Sequence, residues 1–86
     1  MIAMKTSEVA RVVGGTFKGE EVLVTSAPVI SSHDATSGSI FCAFVGENSN
    51  GHDFVADAFA RGAVVALVSE EVKETHILVT DVLQLS

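Results

Sequence analysis

The sequence predicts one small α/β domain, a mixed β-sheet with flanking helices, because short apolar runs alternate with polar loops and helical segments. Its clearest unit spans residues 38–63, where an apolar strand leads into a polar loop bracketed by Gly46 and Gly51 and then into a helical pattern. After Gly62 the chain continues into another apolar run. Open α/β sheets bind ligands beside the carboxyl ends of their strands. We therefore expect the polar loop and the following His52 to lie at a functional site.

Length and composition restrict the class of protein. The 86 residues are 48% hydrophobic and 19% charged, which suits a single water-soluble domain over residues 1–86. No apolar run approaches the ~20 residues that span a bilayer, and the first residues lack the pattern of a secretory signal. We expect a cytoplasmic protein without membrane insertion.

Charge and cysteine content narrow the chemistry. The net charge is −6 and the five basic residues are scattered, so we expect no nucleic-acid partner. Cys42, the single cysteine, lies inside an apolar run, where a small buried side chain is a better interpretation than a catalytic thiol. An anionic ligand would have to be bound mainly by backbone amides, helix ends and neutral polar side chains.

The first part of the chain predicts a helix followed by strands. The helix is expected over residues 7–13, with Val9, Val12 and Val13 on its apolar face and Gly14 at its end. Strands are expected at residues 16–18, 22–25, 29–31, 39–45, 64–68 and 76–80.

The connections between these strands are also predicted by residue type. The first two strands flank Gly19 and predict a hairpin, and residues 32–38 predict a polar turn. Residues 70–74 are expected to form a solvated connector. Asp81 is expected to begin a helix that stops within about one turn, which is too short to be stable and suggests a piece of a longer chain.

A second helix is expected over residues 53–61, where Asp57 and Arg61 have the spacing of a favourable ion pair. Its apolar stripe is Phe54, Val55, Ala58 and Phe59. The predicted core comprises Phe41, Phe44, Phe54, Phe59, Val65 and Leu67.

Signatures of catalysis are missing from the sequence. There is no phosphate-binding G-x-x-x-x-G-K-[ST] loop, no G-x-S-x-G nucleophile motif and no cysteine pair for zinc. The three histidines fall in different predicted elements, so no metal site is expected. We expect no catalytic residue and no catalysis by this chain alone.

Four residues remain as candidate ligand contacts. His52 begins a helix whose free N–H groups suit a phosphate, although it could equally pack against or cap the turn. Ser31 and Ser32 end a predicted strand and could contact a base edge, or could serve only as turn formers. His33 could touch a ligand or lie on the surface.

The order of these segments resembles the N-terminal domain of the Mur ligases, the ATP-dependent amide ligases of peptidoglycan precursor synthesis. The family pattern D-[ST]-R reads SSH at residues 31–33, and P-G-D-L-F-V-A-L-x-G reads SGSIFCAFVG at residues 37–46. D-G-H-x-F reads NGHDF at residues 50–54, and A-x-x-x-G-A-x-A-x-[LV]-V reads AFARGAVVALV at residues 58–68, with Val65 at the place of the third alanine. Residues 1–15 look most like the member that adds D-alanyl-D-alanine.

This resemblance implies a ligand and a set of contacts. The domain would hold the uridine diphosphate (UDP) end of UDP-N-acetylmuramoyl-peptide, while ATP and Mg²⁺ would be bound by other domains of the same ligase chain. This domain itself would carry no cofactor. The substrate-binding residues implied by position are Ile30, Ser31, Ser32, Gly46, Glu47, Asn48, Ser49 and His52. Ser31, His33 and Asn50 replace the Asp, Arg and Asp of the family pattern.

Two other interpretations stay open. The chain could be the same domain of the sister ligase that adds the third, diamino residue. It could also be a stand-alone module that binds a ligand or partner without catalysis.

Overall fold

The computed structural model of the chain describes residues 3–45 and 50–80. The loop residues Gly46, Glu47, Asn48 and Ser49 and the helix predicted to begin at Asp81 lie outside the described residues. The strands are β1 (Met4–Lys5), β2 (Thr16–Lys18), β3 (Leu23–Val24), β4 (Ile40–Cys42), β5 (Val65–Val68) and β6 (His76–Leu78). The helices are α1 (Thr6–Val13) and α2 (Val55–Ala60), with short 3₁₀ turns at Ser32–Asp34 and Gly51–Phe54.

The main sheet is mixed, as the sequence predicts. Its strand order is β2-β6-β5-β4, in which β4, β5 and β6 are parallel and β2 is antiparallel to β6. β1 and β3 form a separate two-stranded antiparallel sheet. The predicted single α/β domain with a mixed sheet and flanking helices is confirmed.

The predicted hairpin around Gly19 is wrong. β2 pairs with β6 and β3 pairs with β1, so the two strands belong to different sheets. Gly19 has φ 125°, and a Cβ there would lie 2.8 Å from the Thr75 Cα, so the chain turns tightly against the β6 side. Thr6 then fixes the next strand, because its N–H donates to the Val22 carbonyl at 2.9 Å and its Oγ1 accepts from the Val22 N–H at 3.2 Å.

Helix α1 ends as predicted, but its buried face differs from the expected one. Gly14 is left-handed at φ 73° and ends the helix. Val9 and Ala10 are buried and Val13 is partly buried, whereas Val12 is 74% exposed. The helical repeat places Val9, Ala10 and Val13 on one stripe and Val12 to the side of it. The prediction that Val12 belongs to the apolar face was therefore wrong.

Both faces of the main sheet are covered. Along β5, Val65 and Leu67 pack in the layer with α1, and Ala66 and Val68 pack in the layer with α2. This alternation follows from the pleat of a strand. All four residues are buried. The sequence expectation of two covered faces is therefore confirmed.

The phenylalanine side chains differ in how far they are buried. Phe41 is 1% exposed and buried as predicted, while Phe44 and Phe59 are partly buried against the core. Phe54 is 46% exposed, so its assignment to the core was wrong. The reason is local: residues Gly51–Phe54 form a 3₁₀ turn rather than the first turn of α2, which takes Phe54 off the α-helical stripe.

Two further features were tested by the structure. The Arg61 Nε donates to the Asp57 Oδ2 at 3.0 Å, which confirms the predicted ion pair. Val29 makes only an isolated parallel bridge with Phe41, so the strand expected at residues 29–31 is reduced to one paired residue.

Within the described residues, no helix has the length and apolar character needed to cross a membrane.

Replacing Phe41 by alanine is expected to lower the free energy of unfolding by roughly 3–5 kcal/mol, because the ring fills a fully packed site. Phe59→Ala is the matched control, since the same truncation on a half-buried ring should cost less. Urea unfolding followed by circular dichroism measures both losses. An equal or larger loss in Phe59→Ala would contradict this assignment of the core.

Candidate ligand site at the carboxyl edge of the sheet

A cleft of about 360 Å³ lies beside the carboxyl end of β4. Small-molecule sites commonly occupy ~300–1,000 Å³ and combine apolar walls with a few polar groups. The lining residues are Ile30, Ser31, Ser32, His33, Phe41, Phe44, Gly51 and Phe54. The cleft has the location that the sequence predicts for an open α/β sheet.

The backbone brings two distant segments to this edge. The Val29 N–H donates to the Ile40 carbonyl at 2.8 Å, and the Cys42 N–H donates to the Val29 carbonyl at 2.9 Å. These bonds hold residue 29 parallel to β4. The residues that follow each segment, Ile30 and Phe44, therefore reach the same cleft.

The Ser32–Asp34 turn forms one wall. The Ser31 Oγ accepts from the His33 N–H at 3.3 Å and caps the turn. Ser32 is buried, and its hydroxyl, followed by the Arg61 guanidinium, holds the pKa of the Asp57 carboxyl below its usual range. The turn therefore packs against α2, with Ser32 near the Asp57 carboxyl.

Apolar side chains give the cleft much of its surface. Ile30 is 69% exposed and Phe54 is 46% exposed, although both are large hydrophobic residues. Phe44 is partly buried, and Phe41 is almost completely buried. Exposed apolar groups gathered around a cleft are typical of a surface that a ligand covers.

Gly51 allows the opposite wall to close. Its N–H donates to the Phe44 carbonyl at 2.7 Å, and a Cβ at this position would lie 2.7 Å from the Phe44 nitrogen. Any side chain would push the two segments apart. Val45 and Asn50 form the next antiparallel bridge. The described ends of the predicted loop are thus fixed beside the cleft.

His52 is held by protein groups on both ring nitrogens. Its Nε2 accepts from the Ser69 and Glu70 N–H groups at 3.1 and 3.2 Å. Its Nδ1 lies 2.6 Å from the Asn50 Oδ1, which also accepts from the His52 N–H at 2.9 Å. The side chain is only 6% exposed. These contacts match the packing and capping interpretation, while a direct ligand contact stays a prediction.

The structure separates the predicted site residues into three groups. Ile30, Ser31 and Ser32 line the cleft. His52 lies next to lining residues without lining the cleft itself. The four loop residues lie outside the described residues and remain predictions: Gly46, Glu47, Asn48 and Ser49.

Sequence reasoning missed several lining residues. Phe41, Phe44 and Phe54 were assigned only to the core, whereas Gly51 lies in the segment that the sequence predicts to be functional. The NGHDF segment carried the usable signal, because a glycine and an aromatic residue flank a turn there. Within residues 3–45 and 50–80, no three metal-ligating side chains converge.

No protein-family model matches the chain. Two curated relatives do. A UDP-N-acetylmuramoyl-L-alanyl-D-glutamate--2,6-diaminopimelate ligase of Geobacter sulfurreducens is 34% identical over 71 residues, which cover 81% of this chain and 14% of the relative. A UDP-N-acetylmuramoyl-tripeptide--D-alanyl-D-alanine ligase of Mycobacterium leprae is 33% identical over 85 residues, covering 92% of this chain and 16% of the relative. The chain therefore spans about a sixth of the length of these relatives.

Solved structures give the same result for the fold. A crystal structure of MurF from Acinetobacter baumannii superposes with a TM-score of 0.80 over 95% of this chain and 19% of that chain, at 23% identity. MurF from Thermotoga maritima, solved in complex with ADP, superposes with a TM-score of 0.64 over 71% of this chain and 15% of that chain, at 25% identity. Sequence and fold agree: the chain belongs to the Mur ligase family, as an N-terminal domain most like that of MurF.

Proposed function

We propose that this chain binds the uridine diphosphate end of UDP-N-acetylmuramoyl-tripeptide, for the ATP-dependent addition of D-alanyl-D-alanine by a longer ligase. The observation that carries the proposal is the cleft at the carboxyl edge of the sheet, where Ile30, Ser32 and Phe54 meet. The relatives that cover most of this chain are named for acting on UDP-N-acetylmuramoyl peptides.

The chemistry of the cleft suits a nucleoside. A uracil ring has apolar faces and polar edges. Ile30 and Phe54 offer exposed apolar surface, and the serines of the 3₁₀ turn offer hydroxyl and backbone groups for hydrogen bonds. We infer that the base lies between these two kinds of surface.

The diphosphate must be bound without a strong cationic side chain. The described residues that line the cleft include no lysine or arginine, and the whole chain has a net charge of −6. His33 takes the place of the arginine in the family pattern and is the one basic side chain among these described residues. We propose that backbone N–H groups near residues 46–49 supply the remaining contacts.

The remaining steps of the reaction belong to other parts of the proposed ligase. ATP, bound with Mg²⁺ by another domain, would transfer its γ-phosphoryl group to the terminal carboxylate of the substrate, giving an acyl phosphate and ADP. The amine of D-alanyl-D-alanine would then attack this acyl phosphate, form the amide and release phosphate. This chain would contribute by fixing the nucleotide end of the substrate.

A second candidate is the sister ligase that adds 2,6-diaminopimelate. The Geobacter relative supports it, with 34% identity over 71 residues. The solved MurF structures and the longer match to the Mycobacterium relative favour the first candidate. A stand-alone binding module is the third. Sequencing the reading frame beyond residue 86 separates this module from the ligases, because a phosphate-binding loop there would indicate a ligase.

Titration with UDP tests the proposed site. Isotope-labelled chain should show NMR shifts at residues 30–32 and 50–54, with a dissociation constant on the order of 0.1–1 mM. ADP is the control for recognition of the base and should bind more weakly. Shifts confined to Gly19 and Thr75, at the amino end of β6, would contradict the proposal.

Truncating Ile30 tests the apolar wall. Ile30→Ala should weaken UDP binding about fivefold, because ~1 kcal/mol of apolar contact is lost. Val12→Ala is the matched control, since Val12 is 74% exposed on α1 and does not line the cleft. Equal affinities of the two variants would contradict a role for Ile30.

The chain alone is expected to be inactive. No phosphate-binding loop occurs in its sequence, so purified chain should show neither ATP hydrolysis nor amide formation with UDP-muramoyl-tripeptide and D-alanyl-D-alanine. A chromatographic assay for phosphate and peptide products measures both reactions. Activity that co-purifies with the chain and titrates with its concentration would overturn this expectation.

A further inference from the structure

We propose that His52 is a positioning residue for the cleft, and that it acts as the neutral tautomer protonated on Nδ1. It joins three segments: residues 50–54, the end of β5, and the beginning of the connector that follows β5. The inference deepens the proposed function and rests on it for the identity of the ligand.

The hydrogen bonds define the tautomer. Two backbone N–H groups, from Ser69 and Glu70, point their hydrogens at the His52 Nε2. A ring nitrogen that carries a proton cannot accept a hydrogen bond, so Nε2 must be unprotonated and present its lone pair. The proton then lies on Nδ1 and is donated to the Asn50 Oδ1, 2.6 Å away. The Asn50 oxygen is further fixed by the His52 N–H.

These bonds connect to the cleft through the chain itself. His52 follows Gly51 and lies two residues before Phe54, and both of these line the cleft. Asn50 is bridged to Val45. The hydrogen bonds to the His52 ring therefore fix the position of residues 50–54 relative to Phe44 on the other wall of the cleft.

The other partner is the end of β5. Ser69 and Glu70 directly follow β5, which pairs with β4, the strand that ends at the cleft. The clasp formed by His52, Asn50, Ser69 and Glu70 thus ties the sheet edge to the cleft wall. The Glu70 Oε2 also lies 3.9 Å from Nδ1, so a carboxylate faces the protonated nitrogen.

A direct contact between the ring and a ligand competes with this clasp. The side chain is 6% exposed, and both nitrogens already have partners. A ligand could reach a ring nitrogen only after a bond of the clasp is broken. We infer that His52 affects binding through the position of Gly51 and Phe54.

The first experiment needs no ligand. Long-range ¹H–¹⁵N NMR of labelled chain distinguishes protonated from unprotonated ring nitrogens. We expect His52 to show protonated Nδ1 and unprotonated Nε2, with slow amide exchange at Ser69 and Glu70. A protonated Nε2 would overturn the proposal whether or not the chain binds UDP.

The second experiment compares His52→Ala with His52→Gln. A glutamine side chain can place its amide oxygen near the position of Nε2 and accept the same two N–H groups, whereas alanine leaves them unpaired. We expect about tenfold weaker UDP binding and faster exchange of the Ser69 and Glu70 amides in His52→Ala. His52→Gln should restore most of both properties.

Each outcome decides one question. Unchanged UDP affinity in a folded His52→Ala chain would overturn the positioning role. Slow amide exchange in His52→Gln combined with an affinity as weak as that of His52→Ala would indicate a direct ring contact and also overturn it. If His52→Ala does not fold, two measurements still test the proposal: the tautomer of His52 in the parent chain, and the UDP affinity and amide exchange of His52→Gln compared with those of the parent. If the parent itself fails to bind UDP, the proposed ligand is wrong, while the tautomer measurement judges the clasp separately.

Discussion

Strand β5 is buried along its whole length, so it needs an apolar layer on each face and a hydrogen-bonded strand on each edge. Its alternating side chains meet these needs, because Val65 and Leu67 pack in the layer with α1 while Ala66 and Val68 pack in the layer with α2. β4 and β6 pair with its two edges. The positions of both helices and of β4 and β6 follow from this one requirement.

The parallel arrangement also determines where the candidate site can lie. Parallel strands end at one edge, and the segments that leave them there must turn in contact with solvent. At this edge Ile30 and Phe54 are exposed to water. Exposure of apolar side chains is unfavourable, and the packing of the sheet does not require it. The proposed nucleotide would cover them, which gives these exposed side chains a functional reason.

Polar groups rather than cations define the shape of the site. The Ser32–Asp34 turn packs against α2 beside the Asp57–Arg61 pair, and His52 accepts hydrogen bonds from the two residues that follow β5. Both contacts join a turn to a regular element, so they position the walls of the cleft. The proposed anion would then be bound mainly by backbone and neutral polar groups, since the chain has a net charge of −6 and few basic residues.

The sequence by itself determined the fold class, the second helix's ion pair and the edge of the sheet at which the cleft lies, because periodicity and capping are local properties. Through motif resemblance it also named Ile30 and Ser32 as substrate contacts; both line the cleft, and the contact with substrate stays a prediction. The tertiary structure decided the rest: the sheet partner of β2, the exposure of Phe54 and the partners of His52. Each depends on residues distant in the sequence, such as Thr75 beside Gly19 and the end of β5 beside the imidazole. No local pattern encodes which of several compatible partners will be within reach, so only packing settles it.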